Sequence, residues 1–263
     1  MKKLILKIKD ITKIYNDDSD HPVKVLSSLS FDVEEGDFIS IIGSNGTGKS
    51  TIFKIISNQI APTKGDIIMN EESILGKKEY DISKDISQIK QQPNDNLILS
   101  LTLFENLCLA KIRSDKASLS VPKRILRREF QDILRPLSGG LEERLDDIVR
   151  GFSGGQKQTI ALIMAIINKP KILLLDEHTA SLDPVNSEKI IELTKKLVAE
   201  NKTTTLMITH NITHAIEVGN RLLLLADGKV KLDIHGEEKK NLKIEDIIKA
   251  LHKSKTELEV DIE

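Results

Sequence analysis

Three short runs of apolar residues stand out from an otherwise polar chain. They cover 38–42, 171–175 and 204–208, and none of them alternates regularly between apolar and polar positions. A strand that is apolar on both faces is typical of a parallel sheet covered by helices on both sides. These runs therefore predict the central strands of an α/β domain with a mostly parallel sheet.

Shorter apolar segments predict further strands around this core. An N-terminal antiparallel β subdomain is expected from strands at 4–8, 11–15, 23–26, 30–33 and 67–70, and a hairpin is expected at 221–225 and 229–233. Residues 71–90 are polar and give no clear assignment.

Helical periodicity with many charges begins near Gln91 and predicts an inserted helical subdomain over about 92–165. Helices are expected at 103–112, 125–134, 141–149, 154–167, 187–200 and 244–251. We therefore expect one domain over 4–250, followed by a charged C-terminal tail over 251–263.

Composition narrows the function classes. The 263 residues include 39 basic and 40 acidic side chains, for a net charge of −1, so nothing in the charge favours nucleic acid as a partner. The single cysteine, Cys108, forms no internal disulfide and fits a reducing cytoplasm. No apolar run approaches the roughly 18 residues of a membrane span, so any link to a membrane is expected to run through a partner.

A glycine-rich turn follows the first apolar run and precedes a helical pattern. The turn consists of Gly43, Ser44, Asn45, Gly46, Thr47, Gly48, Lys49 and Ser50, with Thr51 behind it. Between a strand and a helix, this spacing predicts a P-loop, whose backbone N–H groups cradle a polyphosphate. Lys49 is expected to reach the β- and γ-phosphates, and Ser50 to offer its hydroxyl to Mg²⁺.

Polar groups are expected beside this loop at the carboxyl ends of the central strands, where open α/β sheets bind ligands. Asp176 can hold Mg²⁺ there, and Glu177 can polarise an attacking water. His210 ends the third apolar run and can donate a hydrogen bond to the γ-phosphate. Gln91 can supply an amide oxygen to Mg²⁺ or to the water, with Gln92 as the competing candidate.

A second anion site is predicted where a serine and two glycines begin a long helix. It consists of Ser153, Gly154, Gly155 and Gln156. Two phosphate-binding helix ends in one chain suggest that the second serves a nucleotide held by another copy. A similar sequence at 138–140 lacks the continuous helix, and we interpret it as a turn.

These elements, in this order, resemble those of the ATP-binding cassette (ABC) ATPases over roughly residues 4–250. The P-loop resembles the Walker A motif, and residues 173–177 resemble Walker B. Gln91 resembles the Q-loop glutamine, and His210 resembles the switch histidine. Residues 152–156 are similar to the LSGGQ signature with Phe for Leu, and residues 181–183, which include Asp183, resemble the D-loop. On residue type alone Tyr15 is a core aromatic, but it falls where the family places its adenine-stacking ring.

The resemblance implies the ligands and the residue roles. ATP and Mg²⁺ are the expected cofactors, with 43–51 and Tyr15 binding the nucleotide. Ser50, Gln91 and Asp176 are the implied metal ligands, and Glu177, His210 and Gln91 the implied catalytic residues. The family also implies a head-to-tail homodimer, in which 153–156 and Asp183 act in trans, and an integral membrane permease as partner.

One departure from the family pattern narrows the comparison. His178 replaces the usual proline after Glu177, giving Asp-Glu-His-Thr-Ala, which is similar to one bacterial subgroup. That subgroup implies an importer with an extracytoplasmic solute-binding protein, placed at the cytoplasmic face of the membrane and taking up an amino acid such as tryptophan or tyrosine. A soluble ABC ATPase of translation or DNA repair, or the ATPase of an exporter, remains the alternative. The sequence leaves open whether His178 acts on Glu177 electrostatically or only packs.

Overall fold

The computed structural model describes residues 3–17, 21–112, 122–137 and 139–251. Its strands are β1 (Leu4–Tyr15), β2 (Val23–Glu34), β3 (Phe38–Ile42), β4 (Lys64–Met69), β5 (Glu72–Ser73), β6 (Ile86–Ile89), β7 (Ile172–Asp176), β8 (Thr204–Ile208), β9 (Arg221–Ala226) and β10 (Lys229–His235). The helices are α1 (Lys49–Ile56), α2 (Glu79–Ile82), α3 (Leu103–Ile112), α4 (Lys123–Leu134), α5 (Gly154–Ile166), α6 (Pro184–Asn201), α7 (Ile212–Glu217), α8 (Gly236–Lys240) and α9 over 244–251.

The N-terminal strands form the expected antiparallel sheet, in the order β2-β1-β4-β5. The sequence predicted two short strands in place of β1 and two in place of β2, whereas each is one strand of 12 residues. The difference arises at Asp10 and Ser28, which both have a φ of 51° and lie near shifts in the register of the pair. A left-handed residue interrupts the apolar pattern without ending the strand.

The central sheet has the order β10-β9-β3-β8-β7-β6. All neighbouring strands are parallel except the hairpin of β9 and β10. The mostly parallel sheet, the hairpin and the three apolar central strands are thus confirmed. Strand β6 lies within the segment that the sequence left unassigned, and its pairing with β7 places it at one edge of this sheet.

The helices divide the buried side chains among several clusters, and α5 belongs to two of them. Ile160 and Ile163 pack with the residues of α3 and α4. Ala161 and Leu162 pack with residues of β7 and α6. The bounds 92–165 of the helical subdomain stay a prediction, since α5 is buried on both sides. Of the expected tail, only Leu251 lies in the described part, where it is helical.

The helix predicted over 141–149 is wrong. This segment contains only two single 3-10 turns, Leu141–Glu143 and Val149–Gly151. The carbonyls of Leu145 and Asp147 accept hydrogen bonds from the first amides of α3, at 2.8 and 3.0 Å, so they are not available to an α-helix. Their role as a cap for α3 replaces local helical bonding. The apolar spacing of the segment still reports burial, because Leu141, Leu145 and Val149 are all buried.

Hydrogen bonds of the buried Arg221 side chain fix the start of β9. Arg221 donates to both oxygens of Asp233, at 2.7 and 2.6 Å, and to the carbonyl of Asp32 at 2.6 Å. The Lys239 ammonium, on α8, is also buried and donates to the carbonyls of Val218 and Gly219.

Across the described part of the chain, no helix is both long enough and apolar enough to cross a membrane.

Candidate active site

The glycine-rich turn between β3 and α1 has the geometry of a phosphate-binding loop. Gly48 caps α1 with a left-handed backbone, at φ 92°, and its carbonyl accepts the amide of Ile52 at 2.9 Å. The Lys49 ammonium curls back over the loop and donates to the carbonyls of Gly43 and Ser44, at 2.9 and 2.8 Å. The first amides of α1 are left to face the loop, where they favour an anion.

Two of the glycines are enclosed so tightly that a side chain would not fit. A Cβ atom on Gly43 would lie 2.3 Å from the carbonyl oxygen of Leu225, and one on Gly48 would lie 2.3 Å from Cδ2 of Leu26. Gly46 has open space beside it. The loop is therefore pressed against β2 and β9 on one side and open on the other.

The open side of the loop is a cavity of about 410 Å³. It is lined by Val25, Asn45, Gly46, Gly48, Lys49, Ser50, Thr51 and Glu177. Thus most of the predicted phosphate loop shares one cavity with the predicted catalytic glutamate. Val25 was not predicted from the sequence, since a valine on an outer strand carries no chemical signal.

Ser50 and Asp176 meet beside this cavity. The Ser50 hydroxyl donates to Oδ1 of Asp176 at 3.2 Å. Burial raises the pKa of Asp176, an effect that the Ser50 hydrogen bond opposes. Burial also disfavours the charged form of Lys49 and so lowers its pKa, although the nearby charges of Glu177 and Asp176 act to raise it. A hydroxyl and a carboxylate at this separation are hard oxygen donors of the kind that Mg²⁺ prefers.

The Glu177 carboxylate holds the remaining catalytic candidates together. Gln91 donates from Nε2 to Glu177 Oε2 at 3.1 Å, and His210 Nε2 lies 2.5 Å from Glu177 Oε1. Gln92, the competing glutamine, instead accepts hydrogen bonds at its backbone carbonyl, from the Asp95 amide at 3.0 Å and from the Asn96 side chain at 3.1 Å. The structure thus places Gln91, and not its neighbour, beside the carboxylate.

The sheet explains why these side chains converge. The P-loop follows β3, Gln91 follows β6, Glu177 follows β7 and His210 follows β8. These four strands run parallel, so their carboxyl ends lie along one edge. Glu177 adopts a left-handed backbone, at φ 49°, and its amide donates to the carbonyl of Ile208 at 3.0 Å. This bond turns the chain beyond β7 toward the end of β8.

The predicted second anion site lies apart from this edge. The Ser153 side chain caps α5 by accepting the amide of Gln156, whose own side chain accepts the Ser153 amide. Asp183 caps α6 in the same manner through the amide of Asn186. A Cβ atom on Gly155 would lie 3.4 Å from the Asn186 side chain, so the two helix starts lie against each other. Ser153 and Asp183 are exposed, and no hydrogen bond among the described residues ties them to the P-loop.

Tyr15 lies at the end of β1, opposite Val23 of β2. Val25, two residues further along β2, lines the P-loop cavity. The Tyr15 ring is half-buried, and the Lys13 ammonium lies 5.2 Å from its centroid. The position is near the phosphate loop, as an adenine-stacking role requires, and that role stays a prediction.

His178 packs behind the site and does not face its cavity. Its ring is buried, and Nε2 lies 3.1 Å from the hydroxyl of Thr194 on α6. Burial lowers the pKa of His178 to about 3, with a smaller contribution from the nearby His214, so the ring is neutral. A neutral ring adds no charge beside Glu177, which argues against an electrostatic effect of His178 on that carboxylate.

The comparisons with known proteins agree with this geometry. Residues 26–180 match the family model described as ABC transporter. The chain belongs to the ABC transporter family. It is 42% identical over 244 residues to a tyrosine transport ATP-binding protein of Clostridioides difficile, covering 93% of this chain and 97% of that protein. It is 31% identical to a methionine import ATP-binding protein, MetN 1, of Staphylococcus aureus, over 86% of this chain and 64% of that protein.

Solved structures show the same fold. A dimeric ATP-binding cassette, MJ0796, bound to ADP and Pi, matches with a TM-score of 0.74 at 31% identity, over 88% of this chain and 98% of that one. The chain is therefore an ATP-binding subunit of the ABC transporter family, and ATP hydrolysis is the activity of this family. The enclosed glycines, the curled lysine and the Ser50–Asp176 pair fit a magnesium-bound triphosphate.

Proposed function

We propose that this ABC ATPase powers the uptake of an amino acid, such as tyrosine or tryptophan, through a separate integral membrane permease. The observation that carries the catalytic part is the Glu177 carboxylate, held by Gln91 and His210 within the cavity of the P-loop. The amino-acid substrate is supported by the similarity to the tyrosine transport ATP-binding protein.

The residues divide the work of phosphoryl transfer by position. The P-loop amides and Lys49 hold the β- and γ-phosphates, and Tyr15 stacks on the adenine. Ser50, Asp176 and Gln91 would hold Mg²⁺, which would supply positive charge beside the phosphate oxygens. Glu177 orients and polarises the attacking water, and His210 donates to the γ-phosphate. Because no covalent intermediate is required, the protein contributes mainly positioning and charge stabilisation.

A second copy of the chain completes each site. Ser153 and the amides of Gly154 and Gly155 form a helix start that makes no hydrogen bond to the P-loop of its own chain within the described residues. In a head-to-tail homodimer this start, with Asp183, contacts the nucleotide held by the partner. The dimeric state of MJ0796 supports this arrangement. The permease then places the dimer at the cytoplasmic face of the membrane, and an extracytoplasmic solute-binding protein delivers the solute to the permease from the other side.

The catalytic assignment is tested by ATP turnover and ATP binding in the full-length chain. Glu177→Gln is expected to abolish steady-state turnover while ATP still binds, whereas Lys49→Ala is expected to lose ATP binding. Gln91→Ala lowers kcat, and Gln92→Ala is the matched control, since the Gln92 side chain is exposed and lies next to it. Unchanged turnover in Glu177→Gln would contradict the assignment.

The transport assignment is tested by its partners. The tagged chain is purified from solubilised membranes of its source, and co-purifying proteins are identified by mass spectrometry. A multi-span permease and an exported binding protein are expected, and the binding protein should be stabilised against heat by tyrosine or tryptophan. Ribosomal or DNA-repair proteins without a permease would refute transport, and a permease without a binding protein would favour export.

A further inference from the structure

Two buried histidines tie the catalytic edge of the sheet to a single helix. His178 follows Glu177 directly, and His214 lies four residues beyond His210 in the first turn of α7. The two imidazoles are close enough for the charge on one to lower the pKa of the other. Both bind side chains of α6, the helix that Asp183 caps.

The hydrogen bond of His178 has only one sensible direction. The Thr194 hydroxyl donates its hydrogen to the carbonyl of Ile190, at 2.7 Å. It can therefore only accept from His178, whose Nε2 carries the proton and lies 3.1 Å away. The other ring nitrogen, Nδ1, is buried without a hydrogen-bond partner among the described residues. One directed bond thus fixes the orientation of the ring.

The second tie is made by His214 in the same way. Its Nε2 lies 2.7 Å from Oε1 of Glu188, a carboxylate that accepts the hydrogen. Its Nδ1 is also buried without a partner in the described part of the chain. Asn211 caps α7 through the His214 amide at 3.0 Å, which fixes this histidine relative to the end of β8.

The backbone between His178 and the carboxylate is stiff. Glu177 is left-handed, its amide is bound to Ile208, and its carbonyl accepts the Ala180 amide at 2.9 Å. A non-glycine residue keeps this conformation only where its surroundings over-determine it. A buried side chain anchored on the next residue supplies such a constraint, so a lost anchor would release the adjacent Glu177.

We propose that His178 is a positioning residue, which holds Glu177 at the attacking water through its hydrogen bond to Thr194 of α6. The proposal rests on the catalytic role proposed above for Glu177. Through this bond, Glu177 is connected to α6 of its own chain. In the proposed dimer, α6 begins at Asp183 beside the partner chain.

The test separates positioning from folding by chemistry at one atom. His178→Leu removes the donor, whereas His178→Gln places an amide N–H near the position of Nε2. We expect kcat to fall about tenfold in the leucine variant, with KM for ATP within about twofold of wild type, because the P-loop still holds the nucleotide. The glutamine variant is expected to recover kcat to within about twofold of wild type.

Thr194→Val removes the acceptor and keeps the side-chain shape. It is expected to lower kcat as much as His178→Leu, and the double variant no further, since both changes break one bond. Thr205→Val is the matched control, because it also removes a buried hydroxyl that donates to a backbone carbonyl, that of Thr203. Thr205 lies at the end of β8 that is away from His210. The kcat of Thr205→Val should remain that of wild type.

Glu177→Gln distinguishes the two proposals. If it abolishes turnover while Thr194→Val and His178→Leu keep the wild-type kcat, the positioning role of His178 is refuted and the role of Glu177 stands. The positioning role is also refuted if Thr194→Val changes KM for ATP together with kcat. If Glu177→Gln turns over ATP normally, the catalytic assignment fails first. Should His178→Leu not fold, Thr194→Val and His178→Gln decide the matter.

Discussion

Replacement of Gly48 by alanine measures how tightly the phosphate loop is built against the N-terminal sheet. Gly48 has a φ of 92°, and the added Cβ would lie 2.3 Å from Leu26 Cδ2 and 3.0 Å from the carbonyl of Val25. The left-handed backbone alone costs a non-glycine residue about 1–2 kcal/mol. Overlap with Leu26, which is buried, adds about 1–3 kcal/mol, as for other overpacked core sites.

Gly36→Ala is the matched control for this prediction. Gly36 has a φ of 80°, but a Cβ there would meet no atom within 4 Å. It therefore carries the backbone cost without the overlap. The free energies of unfolding in urea are expected to fall by about 1–2 kcal/mol in Gly36→Ala and by about 2–5 kcal/mol in Gly48→Ala.

ATP affinity completes the measurement. To admit the alanine, α1 and the loop must shift away from Leu26, which displaces the amides that face the phosphates. Titration with a fluorescent ATP analogue is expected to show an affinity at least about tenfold weaker for Gly48→Ala, equal to about 1.4 kcal/mol, and an unchanged affinity for Gly36→Ala. Equal stabilities and equal affinities for the two variants would refute the reasoning, because Leu26 would then yield without cost.

Three further predictions concern stability. Burial lowers the pKa of Lys239 to about 8 from 10.5, so the folded state loses this proton at a lower pH than the unfolded state does. Between about pH 7 and about pH 9.5, the free energy of unfolding of wild type should therefore rise by about 2 kcal/mol relative to that of Lys239→Met. A difference between the two proteins that stays constant with pH would contradict this. Arg221→Met removes the bidentate partner of Asp233, whose carboxylate is partly exposed, and should lower the free energy of unfolding by about 1.5–3 kcal/mol; a loss below about 1 kcal/mol in a urea titration would argue against a cooperative network. Ser153→Ala removes the cap of α5 and should cost about 1 kcal/mol, whereas Ser153→Asp should preserve stability.

The central strands were predictable because their sequence determines them locally. Strands β3 and β8 coincide with the apolar runs, since every residue in them is buried. Strand β6 was missed because it has only four residues, two of which are polar, and it is a strand because it pairs with β7. The helix predicted over 141–149 was wrong for a related reason, since the carbonyls of Leu145 and Asp147 accept hydrogen bonds from amides of α3 and not from amides of the segment itself.

The site was predictable where residue type carries chemistry. A P-loop, two acidic residues after a buried strand and a histidine after the next one suffice to place the parts on one edge. The contact between Gln91 and Glu177 and the choice against Gln92 depend on side-chain direction after β6. The bond between His178 and Thr194 joins residues 16 positions apart across a turn, and no spacing rule predicts it.

Helix α5 limits how the molecule can open. Its neighbouring residues are buried in different clusters, with Ile160 and Ile163 among helices and Ala161 and Leu162 against the sheet. In native-state hydrogen exchange we expect the amides of α5 to be protected to the level of global unfolding, together with those of β7. Helices α3 and α4, which lack that second attachment, can exchange through a smaller unfolding unit that ends at α5.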